Sequence, residues 1–288
     1  MRFYIVDVFA EQKYQGNQLA VLIPDQELST NEMQQIAKEI NFSETTFILS
    51  DKLSNGGYDV RIFTPEEEVP FAGHPTLGTA FVIQQLLENG HSEEILLNLE
   101  AGQIPVRINT DELTMKQNQP TFGQIIPHSA LIAEMLQIEE TDLMTQYPIQ
   151  LVSTGLPSVI VPLKSLDAVK RCSIHHDKFQ QFLDQFVKAG VLVFCPEVEK
   201  KDNDLHVRVF MDDPGFLEDP ATGSANGNLA GYLLEHNFFR DSKIRYRVEQ
   251  GYEMKRPSLL KIQAEKADGV FHIYVGGKVF LVAKGEWL

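Results

Sequence analysis

Three residues hold positions from which they could move a proton. His74 and Asp219 each stand one residue before a proline, in Gly73-His74-Pro75 and Glu218-Asp219-Pro220, and each proline opens a run that reads as a helix. Glu44, in Asn41-Phe42-Ser43-Glu44-Thr45-Thr46-Phe47, enters a strand directly behind an amphipathic helix. Singly, each has an ordinary account. Asp is a favoured N-cap, a histidine hydrogen-bonds readily in a turn, and a glutamate at a strand start is commonly solvated. As a set at related helix mouths they become candidates for general acid/base work. A carboxylate in half-apolar surroundings has its pKa raised by desolvation and can both accept and return a proton. A helix N-terminus offers unbonded N–H groups and about half a positive charge, which suits it to hold a carboxylate and to stabilise charge developing beside it.

The elements that must position these groups follow from apolar periodicity. Phe3–Phe9 and Gln18–Ile23 read as strands around a turn at Gln15-Gly16-Asn17. Ser29 and Glu32 have capping-box spacing before Met33, Ile36, Ala37 and Ile40. A helix starting at Pro75 and running Thr76 to Leu87 is apolar nearly all round, as a buried helix is. Gln117–His128 is polar, carries Pro120 and Pro127, and reads as a linker. In the second half, Gly223, Gly227 and Gly231 leave a bare stripe on the helix from Thr222, which permits close packing.

The halves resemble each other. Val60-Arg61-Ile62-Phe63 matches Val207-Arg208-Val209-Phe210, 60 to 207 being an offset of 147. His74-Pro75-Thr76-Leu77-Gly78 matches Asp219-Pro220-Ala221-Thr222-Gly223, 74 to 219 being 145, so the second copy of the intervening loop reads as two residues shorter. On that alignment His74 corresponds to Asp219, and Glu44 to Gly190. Face-to-face packing of two such halves would bring both helix N-termini to one cleft.

Twenty-five Lys and Arg against 40 Asp and Glu give a net charge of −15 with no basic run, which argues against nucleic acid and anionic membrane surfaces as partners. A small anionic substrate is compatible, because a local site can oppose the global charge. Two cysteines, Cys172 and Cys195, do not make a disulfide framework or a zinc site and point to a reduced, cytoplasmic setting. There is no P-loop, dinucleotide fingerprint, nucleophile elbow or zinc-protease motif. Ser224 has no adjacent base and reads as a substrate-binding hydroxyl. His175-His176-Asp177 reads as a solvated helix start rather than a metal cluster, and Glu66–Glu68 as a solvated loop.

Asn41–Phe47, Pro70-Phe71-Ala72-Gly73-His74-Pro75-Thr76-Leu77-Gly78 and Glu218-Asp219-Pro220-Ala221-Thr222-Gly223-Ser224-Ala225 resemble signature segments of the PhzF-like family of phenazine biosynthesis. The likeness extends from Asp7-Val8-Phe9 and Gly16-Asn17 to Gln250-Gly251 and Arg256-Pro257-Ser258. The resemblance implies an α+β fold akin to diaminopimelate epimerase: two pseudo-symmetric halves, each a curved, mostly antiparallel or mixed sheet wrapped around a central buried helix. The halves would be 1–118 and 119–288, with the last strand, about 276–288, free to pack back on the first. It also implies an isomerase without cofactor or metal, acting on a small carboxylated metabolite, and it suggests a homodimer. By motif position Glu44 is the general acid/base, His74 and Asp219 assist, and Gly73, Gly223 and Ser224 hold the substrate's carboxylate. Related epimerases use two cysteines at the helix mouths; here those positions carry none. The alternative is a protein that binds or senses small carboxylates on the same fold without catalysis.

Overall fold

Apolar, β-branched runs become strands in both halves of a computed structural model that describes residues 1–127, 129–186, 188–213 and 216–288. One compact unit comprises Met1–Lys116 and Gly276–Leu288; the other comprises Gln117–Val275. The first carries β1 (Arg2–Val8), β2 (Asn17–Ile23), α1 (Thr30–Ile40), β3 (Thr45–Ile48), β4 (Gly57–Phe63), β5 (Glu68–Val69), α2 (Gly73–Val82), β6 (Glu94–Leu99), β7 (Gly102–Asn109) and β8 (Glu112–Lys116). The second carries β9 (Thr121–Ile125), α3 (Ser129–Leu136), β10 (Gln150–Ser153), β11 (Pro157–Pro162), α4 (Leu166–Arg171), α5 (His176–Gln185), β12 (Gly190–Cys195), β13 (Leu205–Asp213), β14 (Phe216–Asp219), α6 (Gly223–Glu235), β15 (Lys243–Gln250) and β16 (Ser258–Ala267). The last strand, β17 (Val270–Glu286), starts in the second unit and ends in the first.

In the first unit β1–β2 is antiparallel, β2–β3 parallel, β3–β4 antiparallel, β4–β6 parallel, and β6–β7–β8 antiparallel. The end of β17 runs antiparallel to β1, and β17 also pairs with β8, so the strands close around α2. The second unit repeats the pattern: β10–β11 antiparallel, β11–β12 parallel, β12–β13 antiparallel, β13–β15 parallel, β15–β16 antiparallel. In each unit one helix is buried along nearly its whole length. Gly73 to Ala80 and Val82 of α2 are buried, as are Gly223 to Leu234 of α6. This is the α+β architecture of sheets wrapped on buried helices. The capping box forms as read: Ser29 and Glu32 exchange bonds, and Met33 and Ala37 of α1 pack on Phe47 and Phe63.

Several local expectations are corrected. The first buried helix begins at Gly73, not at Pro75, because extended Ala72 is its N-cap; Pro75 then sits in the first turn, where a missing N–H costs nothing. The helix ends at Val82 and continues as one π-type turn, Ile83–Leu87. The stretch read as a linker contains β9, which pairs with β10. Ahead of β9, Gln119 exchanges two bonds with the Phe271 backbone. His128 lies outside the described residues. The glycine stripe of α6 faces this segment: a Cβ on Gly227 would meet the Gln117 side chain at 3.0 Å, and one on Gly231 would meet Pro120 at 2.8 Å. His175 is the exposed N-cap position of α5, as expected of a solvated helix start.

The register of the internal repeat also changes. Arg61 grips Glu68 through Nε and Nη2 at 2.6 and 2.5 Å, and Arg208 grips Glu218 through the same nitrogens at 2.8 Å each. Each guanidinium also lies over the phenylalanine two residues on, Phe63 or Phe210. Arg61 and Arg208 differ by 147, whereas Glu68 and Glu218 differ by 150, so the second loop is three residues longer rather than two shorter. Glu68 is thus no solvated loop residue. From there the copies stay in step at 150: Pro70 matches Pro220, Gly73 matches Gly223, His74 matches Ser224, and Asp219 matches Val69. The correspondence of Glu44 with Gly190 stands, because Thr45 pairs with Phe63 as Val191 pairs with Phe210.

Behind β13 lies a buried ionic cluster. His206 Nδ1 is 3.0 Å from Glu249 Oε2, and its Nε2 is 3.1 Å from Glu253 Oε1. Burial opposes a charge on His206, but the two carboxylates outweigh it and raise its pKa above the ordinary 6.5. Burial likewise pushes both glutamates up. It is outweighed for each by His206, and for Glu249 also by Asn203 and the N–H groups of Glu199 and Lys200, so both sit below the ordinary 4.5. The His206 contribution to stability is complete below its unfolded value of 6.5 and disappears as the pH rises through the elevated folded value. That of the glutamates is complete above 4.5 and disappears as the pH falls through their lowered values.

These ion pairs make two expectations testable. Arg208 is 8% exposed and also donates to the carbonyls of Val169 and Cys172, whereas Arg61 is 27% exposed. Arg208→Met should therefore lower the unfolding free energy by about 3–5 kcal/mol, the cost of stranding a buried charge. Arg61→Met should cost no more than about 1–2 kcal/mol, because solvent screens the pair it breaks; denaturant titration compares them. Measured against pH, the stability of the natural protein should decline above pH 6.5. His206→Gln should lack that decline, and identical slopes would rule out a buried imidazolium.

Candidate active site

In the first unit Glu44 and His74 come together. Glu44 immediately precedes β3; the turn before it is set by Asn41, the left-handed C-cap of α1 with φ 56°. His74 is the second residue of α2. Glu44 Oε2 lies 3.4 Å from His74 Nε2, with side-chain exposures of 18% and 5%. His74 Nε2 also lies 3.2 Å from the Gln18 carbonyl oxygen, and His74 Nδ1 lies 3.2 Å from Asn17 Nδ2. Ser43 Oγ donates to Asn17 Oδ1 at 3.3 Å.

Backbone constraint brings Asn17 there. The loop between β1 and β2 passes through left-handed conformations at Phe9, Tyr14 and Gly16, with φ 59°, 71° and 71°. A Cβ on Gly16 would stand 2.2 Å from the Val8 carbonyl oxygen, so that position accepts only glycine. Asp7 fastens the loop by accepting from the Tyr14 N–H at 2.6 Å.

In the second unit Asp219, Gly223 and Ser224 gather at the start of α6. Thr222 is the N-cap residue by position, but its hydroxyl donates to Asp219 Oδ2 at 2.5 Å instead of capping the helix. Gln250, fully buried at the end of β15, donates through Nε2 to the Asp219 carbonyl at 2.8 Å and to Thr222 Oγ1 at 3.0 Å. Its Oε1 accepts from the Thr222 N–H at 3.2 Å and from Asn226 Nδ2 at 2.9 Å. The hydroxyl of Thr222 takes one hydrogen and gives one, which fixes its direction and holds Asp219 as an acceptor. Gly251, with φ 76°, lets this corner close: a Cβ there would meet the Pro220 carbonyl at 2.6 Å.

Neither N-cap residue, Ala72 of α2 nor Thr222 of α6, caps its helix with its own side chain. The first N–H groups of each are the ones that lack partners within a helix and are suited to an anion. Superposing the copies by strand register shows how the chemistry is divided. Asn17, Glu44 and His74 of the first unit correspond to Leu156, Gly190 and Ser224 of the second. Conversely, Asp219, Thr222 and Gln250 correspond to Val69, Ala72 and Leu99. Each unit thus carries one polar trio where the other has mostly apolar or small residues.

Asn17, Ser43, Thr222 and Gln250 were not among the residues singled out by sequence for chemistry. The signal that marks two of them is a glycine beside a buried polar residue, in Gly16-Asn17 and Gln250-Gly251. The cysteines take no part: both are buried, and burial pushes each thiol up to about 12. Among the described residues no cluster of histidine, cysteine and carboxylate side chains is arranged to hold a metal ion, and no helix is long and apolar enough to cross a membrane.

Comparison with known proteins identifies the family. The family described as phenazine biosynthesis-like protein matches residues 6–285. An uncharacterized isomerase of Pasteurella multocida is 36% identical over 286 residues, 99% of this chain and 93% of that one. A trans-2,3-dihydro-3-hydroxyanthranilate isomerase of Pseudomonas chlororaphis is 31% identical across 98% of each chain. The crystal structure of a PhzF-family phenazine biosynthesis protein of Bacillus anthracis superposes with a TM-score of 0.89 at 28% identity, covering 100% of this chain and 99% of that one. With the family matched over nearly its whole length, and with isomerases as relatives, this chain is an isomerase of the PhzC/PhzF phenazine biosynthesis-like family.

Proposed function

We propose that this isomerase moves a proton within a small carboxylated metabolite, without a cofactor, using Glu44 as the general acid/base. The observation that carries the reading is the contact of Glu44 Oε2 with His74 Nε2 at 3.4 Å, in a mostly buried setting at the start of α2. An ionised Glu44 takes a proton from a carbon of the substrate. The same carboxyl group, 18% exposed and so open to exchange of its proton with solvent, delivers a proton to another carbon, and the double bonds shift between the two positions. No electron or atom is gained or lost, so no oxidant or metal is needed for balance. His74 donates toward the carboxylate of Glu44, and Asp219, fixed by Thr222 and Gln250, assists the proton's transfer. The N–H groups at Gly73, Gly223 and Ser224 bind the substrate's carboxylate, and their positive helix ends stabilise the charge that spreads toward it as the proton leaves. The relatives named for trans-2,3-dihydro-3-hydroxyanthranilate act on a carboxylate of this kind, which supports the class of substrate.

Glu44→Gln keeps the shape of the side chain and removes its basicity. It should slow turnover by about 10²- to 10⁴-fold, the usual worth of a positioned acid/base. Ligand affinity should change little. Incubation of carboxylic acids in D₂O, with carbon-bound deuterium read by mass spectrometry, measures the proton transfer whatever product is formed. Undiminished exchange by Glu44→Gln would remove Glu44 from the mechanism. Tight binding by the natural protein with no exchange in any acid would instead favour carboxylate binding without catalysis.

A further inference from the structure

We propose that Asn17 is a positioning residue that keeps His74 neutral and protonated on Nε2. The imidazole then donates toward Glu44 and does not compete with it for the substrate's proton. The proposal builds on the reading of Glu44 as proton carrier and adds the state of its neighbour. The hydrogen bonds dictate it. Nε2 faces the Gln18 carbonyl oxygen at 3.2 Å and Glu44 Oε2 at 3.4 Å, both of which act as acceptors toward it, so Nε2 must bear a hydrogen. Nδ1 faces the amide nitrogen of Asn17, which only donates, so Nδ1 must present a lone pair. Ser43 complements this orientation of the amide by donating to Asn17 Oδ1 at 3.3 Å. Asn17 is itself 2% exposed and is delivered by a loop with left-handed residues at Phe9, Tyr14 and Gly16, so the amide has little freedom to turn.

A neutral His74 has consequences for the chemistry. An imidazolium beside Glu44 would form an ion pair and hold the carboxylate too weakly basic to take a proton from carbon. A neutral imidazole with its hydrogen on Nδ1 would offer Nε2 as a rival base. The observed arrangement avoids both. The second unit has no equivalent device, because Leu156 and Ser224 occupy the corresponding positions.

The test uses the full chain labelled with ¹⁵N-histidine. In the natural protein at pH 7, without substrate, His74 should show one protonated nitrogen, Nε2, and one lone-pair nitrogen, Nδ1. A doubly protonated ring, or a hydrogen on Nδ1 alone, would overturn the proposal. Asn17→Asp, nearly the same shape but acceptor-only, should protonate Nδ1 as well and convert His74 to imidazolium. Deuterium exchange into a carboxylic acid substrate should then fall on the order of 100-fold, chiefly in kcat, as expected when a partner selects the wrong protonation state. The acidic limb of its pH profile should shift. An unchanged nitrogen spectrum in Asn17→Asp would also overturn the proposal. If that variant does not fold, the spectrum of the natural protein decides alone. The nitrogen spectrum is read without turnover, so its outcome is separate from that of Glu44→Gln.

Discussion

The two-pronged bond between an arginine and a glutamate, Arg61 with Glu68 and Arg208 with Glu218, is the constraint on which the candidate site depends. Each arginine sits on a strand of the main sheet, and each glutamate on the short strand that leads to the buried helix five residues later. The planar guanidinium matches both carboxylate oxygens at once, so the pair fixes orientation as well as distance. Whatever the length of the loop between them, the chain leaves the clasp in one direction. It then enters the helix at Gly73 in one unit and at Gly223 in the other. Three extra residues in the second loop change nothing downstream of Glu218, because the clasp absorbs them.

A fixed frame of this kind lets two copies of one design diverge in chemistry without diverging in shape. The strand that Glu44 immediately precedes in one copy begins with Gly190 in the other, where a Cβ would press on Met211 Sδ at 2.9 Å. The corner filled by Asp219, Thr222 and Gln250 in the second copy is lined by Val69, Ala72 and Leu99 in the first. Within each copy buried polar groups bond one another, Asn17 with Ser43 and His74, and Thr222 with Asp219 and Gln250, as low-dielectric surroundings demand.

Much of the fold was legible because its signals are local. The capping box at Ser29 and Glu32, the all-round apolar helices and the alternating strands depend on neighbours a few residues apart. The match of Glu44 to Gly190 was legible too, since it rests on adjacent strands whose connection differs by a single residue between the copies. The match of His74 to Asp219 misled because Pro75 and Pro220 look alike in sequence while doing different work. Pro75 lies inside the first turn of its helix, and Pro220 lies three residues ahead of the next. Only the ion pairs reveal the true register, and their spacing differs between the copies. Asn17 and Gln250 were illegible as functional groups for a related reason: their bonds span 57 and 28 residues and exist only after the chain has folded.

The course of β17 has a consequence for how the protein is made. The first unit holds its helix inside strands whose final member is drawn from Gly276–Leu288, and Arg2 at the start of β1 lies opposite Glu286. On the ribosome, β1 and β2 can form their hairpin early, but the free side of β1 must wait for nearly all of the remaining chain. At about 5–20 residues per second that wait lasts roughly 15–55 s. Throughout it an apolar strand edge stays unpaired, and such an edge is a template for pairing with another chain. The second unit can close its own order of strands β10 to β16 in the meantime. Vectorial synthesis therefore completes the copies in reverse order: the half made first is the half finished last.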